Sequence, residues 1–232
     1  APMDKFIQWR GIEQMFMDLI DRPEWVHAAL ERVTAGYMSN IERLEQLNAL
    51  TPGHGNAMLG SGGWGWTDQL PQPDFDGEHV RLKDLWARAS TQIFAEVSPA
   101  MHDEFAVHYE KQLLEKFGLS CYGCCEPLHN KMHVARKIGN LRRVSMSPYV
   151  DIARAAEAVG KDYVYTHKPN PSIVSMEGWD RDLARGQLRD ALEKTRDNVV
   201  EVNLQDLHTV HNEPHRLTEW TEMAMQLAEE YA

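Results

Sequence analysis

Long apolar runs are missing from these 232 residues. Nothing approaches the roughly 18 consecutive apolar residues of a membrane-spanning helix, and Met3 to Ile20 carries acids and bases throughout. The N-terminus also lacks a basic segment leading into an apolar one, so no secretory signal is expected and the cytoplasm is the expected location. Basic residues are outnumbered, with 24 Lys and Arg against 35 Asp and Glu and a formal charge of −11. That balance argues against a nucleic-acid backbone as partner, and the short basic cluster Arg136, Lys137, Arg142, Arg143 reads as a solvated helix end. Cysteine is scarce. Its three copies, Cys121, Cys124 and Cys125, fall within one short stretch, which excludes a disulfide framework and points to a reduced compartment and a local site. Low complexity is absent too. With 43% hydrophobic residues, seven Trp, seven Tyr and six Phe, the chain can bury the core of one domain or a large piece of one.

The first fifty residues read as helices. Ile12, Met15, Phe16, Leu19 and Ile20 repeat at helical spacing, Asp21-Arg22-Pro23 interrupts them, and a second helix is expected from Pro23 to Leu47. Residues 51–77 are rich in glycine, tryptophan and proline. The run Gly60-Ser-Gly-Gly-Trp-Gly-Trp66 lacks both the Lys-Ser/Thr pair of a phosphate loop and the dinucleotide spacing, and reads as a loop beside a site. From there strand-like runs alternate with helical ones. Strands are expected at Gln92–Val97, Leu119–Gly123, Leu141–Met146, Asp162–Thr166 and Val199–Leu204, with a sixth near Ala57–Trp64. Helices are expected at Ala100–Phe117, Leu128–Ile138, Tyr149–Val159, Asp180–Asn198 and Pro214–Tyr231. Such alternation implies parallel crossovers, hence an α/β sheet or barrel. The organisation is therefore a helical segment, 1–50, followed by a βα-repeat portion, 51–232. These runs fall short of the eight strands of a closed barrel, so the chain is expected to be the C-terminal part of a longer protein.

In parallel α/β proteins the site lies at the C-terminal ends of the strands. The residues there include Trp64, Trp66, Glu96, Met101, Cys124, Cys125, Glu126, Ser147, His167, Lys168, Asn170 and His208. Within Cys121-Tyr-Gly-Cys-Cys-Glu-Pro127, thiolates suit zinc, and a catalytic zinc takes three protein ligands with a fourth position open. Cys124 or Cys125, Glu126 and a histidine from another strand end would supply them; alternatively the cysteines are small buried fillers. His208 is a candidate metal ligand or general acid. His211 and His215 read as surface or helix-start residues beside Asn212 and Pro214. Asp206-Leu-His208-Thr-Val-His211 has histidine where a corrinoid-binding box requires glycine, and too little chain follows for that domain. His167-Lys168-Pro-Asn-Pro171 is a stiffened strand exit that either holds an anionic group or is a plain turn.

Five segments together resemble the uroporphyrinogen decarboxylase superfamily, and its methyltransferase-like branch in particular. They are Ser98-Pro-Ala-Met-His-Asp-Glu-Phe105, Tyr122-Gly-Cys-Cys-Glu-Pro-Leu128, Arg142-Arg-Val-Ser-Met-Ser-Pro148, Lys168-Pro-Asn-Pro171, and His208-Thr with Pro214-His-Arg-Leu217. The resemblance implies a (β/α)8 TIM barrel of the uroporphyrinogen decarboxylase type, of which this chain is the C-terminal portion. It implies zinc-dependent methyl transfer or demethylation of a small methylated substrate, coupled to a corrinoid carried on a separate protein. Cys124, Cys125, Glu126 and His208 are the expected metal ligands, and Glu126, His208, His167 and Lys168 the expected catalytic groups. Trp64, Trp66, Glu96, Met101, Ser147 and Asn170 are expected to bind substrate. The family's His-x-Cys zinc motif falls on Tyr122-Gly123-Cys124, with tyrosine in place of histidine. The alternatives are cofactor-free decarboxylation of a tetrapyrrole or other carboxylate, and a non-catalytic subunit whose barrel a second chain completes.

Overall fold

A computed structural model describes residues 1–232, the side chain of Ser61 excepted. Three helices open the chain: α1 (Pro2–Arg10), α2 (Ile12–Asp21) and α3 (Pro23–Gln46). Pro2 and Pro23 stand in first turns, where their missing N–H costs no hydrogen bond. Buried Asp18 locks the corner, accepting from Arg10 Nε at 2.6 Å, from Gln14 and from Arg22. The helices bury Met3, Phe6, Met15, Leu19, Val26 and Leu30 against Phe94, Phe105 and Tyr109.

A short antiparallel hairpin, β1 (Gly55–Met58) with β2 (Trp64–Gly65), precedes the main sheet. That sheet has five parallel strands: β3 (Trp86–Ala89), β4 (Leu119–Tyr122), β5 (Leu141–Ser145), β6 (Val164–His167) and β7 (Val199–Val202). Their spatial order is their chain order. The connections carry helices: α4 (Pro99–His102) and α5 (His108–Leu114) joined by a π turn, then α6 (Met132–Ala135), α7 (Ile152–Val159), and α8 (Ser172–Ser175) with α9 (Arg181–Lys194). Helix α10 (His215–Glu230) ends the chain against α9.

Ala89, Tyr122, Val144 and Tyr165 face Val107, Leu114, Ile138, Ala155 and Val159 of the helix layer. Doubly wound sheets reverse strand order at a switch point and carry helices on both faces. This sheet keeps a single direction of winding, which is compatible with a partial α/β barrel.

The opposite face carries Arg88, Cys121, Arg143, Thr166 and Glu201, by the register Arg88↔Cys121↔Arg143 and Thr166↔Glu201. The glycine-rich loop lies on it. Arg143 pairs with Glu201 and donates from Nη2 to the Trp64 carbonyl at 2.7 Å; Trp64 N–H donates to Glu201 Oε1 at 3.0 Å; Thr166 Oγ1 donates to the Gly62 carbonyl at 3.0 Å. A Cβ on Gly62 would sit 2.6 Å from Cys121 Sγ, and one on Gly63, at φ +105°, would overlap the Glu201 carboxylate. Close approach to the sheet thus requires these glycines.

Two expected strands are corrected. Gln92–Phe94 is a turn of 3-10 helix whose Phe94 inserts into the N-terminal core, and the strand lies upstream at Trp86–Ala89. The run near Ala57–Trp64 forms the hairpin and takes no place in the parallel sheet. The helix expected at Leu128–Ile138 shortens to a 3-10 turn, Leu128–Asn130, and α6. No helix is long and apolar enough to cross a membrane.

Candidate thiol site at the strand ends

Strand β4 leaves the sheet through Gly123, whose φ of +94° and contact with the Ser145 carbonyl leave no room for a side chain. Its N–H donates to the Ala89 carbonyl at 2.9 Å. Glu126 then folds back into the protein. Its Oε1 accepts the Thr91 N–H at 3.2 Å, its Oε2 accepts the Cys124 N–H at 2.8 Å, and its carbonyl accepts from Ser147 N at 3.2 Å. One fully buried residue therefore fastens the exits of β3, β4 and β5, and burial holds its carboxyl above the usual carboxylate range.

That anchoring presents two adjacent sulfurs. Cys124 Sγ and Cys125 Sγ lie 3.4 Å apart. Lys168, from the exit of β6, donates to the Cys124 carbonyl at 2.5 Å and stands 3.7 Å from Cys124 Sγ. Asp206 Oδ2, after β7, lies 3.9 Å from Cys125 Sγ. Burial and the neighbouring sulfur push the Cys125 thiol up to about 12, so it keeps its proton near neutrality. Cys121 faces the glycine loop instead, 3.7 Å from the Gly62 carbonyl, and burial likewise pushes it up to about 12. The buried-filler reading suits Cys121.

The other expected site residues scatter. Glu126 is an anchor of the backbone, and His208 is exposed beyond β7. Among the described residues no group of three or more His, Cys, Asp or Glu side chains converges as a metal ion requires, so the expected zinc donors, Cys124, Cys125, Glu126 and His208, are not brought together. Trp64 is held by Arg143 and Glu201 on the inner face, and Trp66 is 64% exposed against Gly55. Glu96 is exposed, and Met101 packs on the N-terminal core. Ser147 Oγ accepts from Tyr149 N, and Asn170 Oδ1 accepts from Ser172 N, so both brace their own turns.

His167 lies on the face of Tyr165, ring centroids 6.0 Å apart, opposite to the face Lys168 occupies. It is buried with Nδ1 unpartnered, and burial depresses its pKa to about 4. Between an unfolded value of 6.5 and that folded value, the unfolded chain takes up a proton that the native state refuses, so this contribution to stability falls as pH falls. His167→Asn is expected to lose roughly 2–3 kcal/mol less stability than wild type between about pH 7.5 and 4.5 in urea unfolding. Equal losses would contradict the assignment.

A buried network behind the site escaped the sequence reading. Tyr122 OH donates to Glu110 Oε2 at 2.6 Å and lies 2.8 Å from His102 Nε2, while Thr91 Oγ1 donates to Glu110 Oε1 at 2.8 Å. Burial raises Glu110 to about 7 and lowers His102 to about 4. The spacing of His102 and Glu110, about two helical turns, was the only signal for it. Tyr122, which stands where the zinc motif has histidine, is consumed by this network.

No protein-family model matches the chain, and no curated protein matches it.

Proposed function

We propose that these βα units belong to a (β/α)8 barrel enzyme, similar to uroporphyrinogen-decarboxylase-like methyltransferases, and that Cys124 is the sulfur that accepts a methyl group, its S–CH3 bond forming as the cobalt–methyl bond of the donor breaks and the electron pair of that bond stays on cobalt as cob(I)alamin. The observation that carries this reading is the pair of sulfurs 3.4 Å apart at a strand exit, with the Lys168 ammonium 3.7 Å from one of them. The thiolate is the nucleophilic form of cysteine. Cys124, the sulfur that stands 3.7 Å from Lys168 Nζ, is assigned that role by its position. Lys168 and the Glu126-anchored backbone orient the sulfur. The donors do not fit the expected zinc set, so no step is assigned to a metal. The methyl donor in this reading is a methylated corrinoid on a separate protein, and the setting is cytoplasmic.

The test uses free methylcobalamin as donor. Demethylation, followed by its visible spectrum, is expected in wild type and in Cys125→Ser but to fall by at least about a hundredfold in Cys124→Ser, since removing a covalent nucleophile costs up to about 10⁶-fold. Equal rates in Cys124→Ser would overturn the reading.

A second reading is cofactor-free decarboxylation, favoured by the buried Lys168 ammonium, which has no carboxylate partner among the described residues. Turnover of uroporphyrinogen by metal-free protein, unaffected by changing both cysteines to serine, would establish it in place of methyl transfer.

A further inference from the structure

Adjacent exits of β6 and β7 place two buried donors side by side. The ladder pairs His167 with Val202 and continues with Asn203 N–H donating to the His167 carbonyl at 2.9 Å. Lys168 and Asn203 are therefore the next register neighbours, and alternation turns both from the helix layer toward the face that carries Thr166 and Glu201. Lys168 is 2% exposed and Asn203 8%. An ammonium has three N–H donors, and Lys168 directs two of them, to the Cys124 carbonyl and Cys124 Sγ. No acidic side chain among the described residues lies within ion-pair distance of it. The Asn203 amide nitrogen has no partner at all.

Buried donors keep partners in the great majority of proteins, and an uncompensated buried charge is costly. Two such donors at neighbouring register positions, one of them 3.7 Å from Cys124 Sγ, call for a shared acceptor. The approach is open at Cys125 and Asp206, which are only partly buried or exposed.

We propose that the β6 and β7 exits form an anion subsite for a substrate carboxylate, with Lys168 Nζ and Asn203 Nδ2 each donating to one carboxylate oxygen while the reacting group faces Cys124 Sγ. One ammonium and one neutral amide match a single negative charge and two oxygens. Phosphate, with its greater charge and additional oxygens, is matched less well. This inference rests on Cys124 as the reacting sulfur and adds to the corrinoid a second class of alkyl donor, carboxylic acids whose alkyl carbon bears a leaving group, the S–C bond forming as the bond to that leaving group breaks.

Iodoacetate and iodoacetamide alkylate the same sulfur and differ in the carboxylate. Rates of Cys124 labelling in the full chain, read by peptide mass spectrometry, are expected to favour iodoacetate by about tenfold, as an oppositely charged cleft concentrates its ligand. Acetate should slow the reaction. Lys168→Met should reverse the preference and Asn203→Leu should weaken it, in variants whose circular dichroism matches wild type. A faster reaction with iodoacetamide in wild type, or a preference that survives both substitutions, would overturn the subsite.

Thermal unfolding supplies a second readout that needs no reaction at sulfur. Propionate is expected to raise the Tm of wild type and not that of Lys168→Met, and phosphate to do so less. No rise with propionate would overturn the proposal, and a larger rise with phosphate would overturn the carboxylate assignment. A chain that prefers iodoacetate yet takes no methyl from methylcobalamin keeps the subsite and loses the methyl-transfer reading. Methyl uptake without the preference does the reverse.

Discussion

Arg143→Met is expected to lower the free energy of unfolding by about 3–5 kcal/mol, the scale of breaking one partner out of a buried ion pair. The Arg143 side chain is 6% exposed and that of its partner Glu201 18% exposed. Removing the guanidinium leaves the carboxylate with the Trp64 N–H, the Thr166 proton being directed to the Gly62 carbonyl, and leaves the Trp64 carbonyl without its donor. The glycine loop is fastened to the sheet through these same atoms, so it should loosen as well. Replacing both partners, Arg143→Met with Glu201→Leu, should recover much of the loss, because two apolar groups strand no charge. Urea unfolding of the two single variants and the double variant measures this. A double variant whose loss equals the sum of the single losses would show that the pair is not coupled.

Glu126→Ala should cost about 2–5 kcal/mol, since it strands two buried backbone N–H groups, those of Thr91 and Cys124, at about 1–3 kcal/mol each. Glu126→Gln keeps one acceptor oxygen but turns an amide NH2 toward the other N–H, so an intermediate loss is expected. The anchoring role and the ligand role expected from sequence diverge here. A ligand or acid would lose activity on conversion to glutamine with little change in stability. An anchor loses stability first, and the geometry of the two sulfurs with it. Both variants lying within about 0.5 kcal/mol of wild type, the range of ordinary surface substitutions, would return Glu126 to a chemical role.

Strands β6 (Val-Tyr-Thr-His) and β7 (Val-Val-Glu-Val) were legible because they are rich in β-branched residues, and β4 and β5 because they fall between helical periods. Strand β3 was not. Trp86-Ala-Arg-Ala has no β-branched residue, and its arginine turns to the polar inner face, which no local pattern announces. Ile93, Phe94 and Val97 imitated a strand because they belong to the core under the opening helices. Cys124, Cys125 and Lys168 could be placed at strand ends from the alternation alone. The inward fold of Glu126 could not, because it depends on the Thr91 N–H at the exit of another strand. The role of the glycines beside Trp64 was hidden for a similar reason: they serve close contact with Cys121, Arg143 and Glu201, which lie on other strands. Asn203 carried no signal until the ladder set it beside Lys168.

After incubation of the full chain with methylcobalamin, peptide mass spectrometry should find a methyl group on Cys124, with Cys121 and Cys125 unmodified and no methylated peptide from Cys124→Ser. A methyl group on Cys125 alone, or methylcobalamin consumed with every cysteine unmodified, would contradict the account.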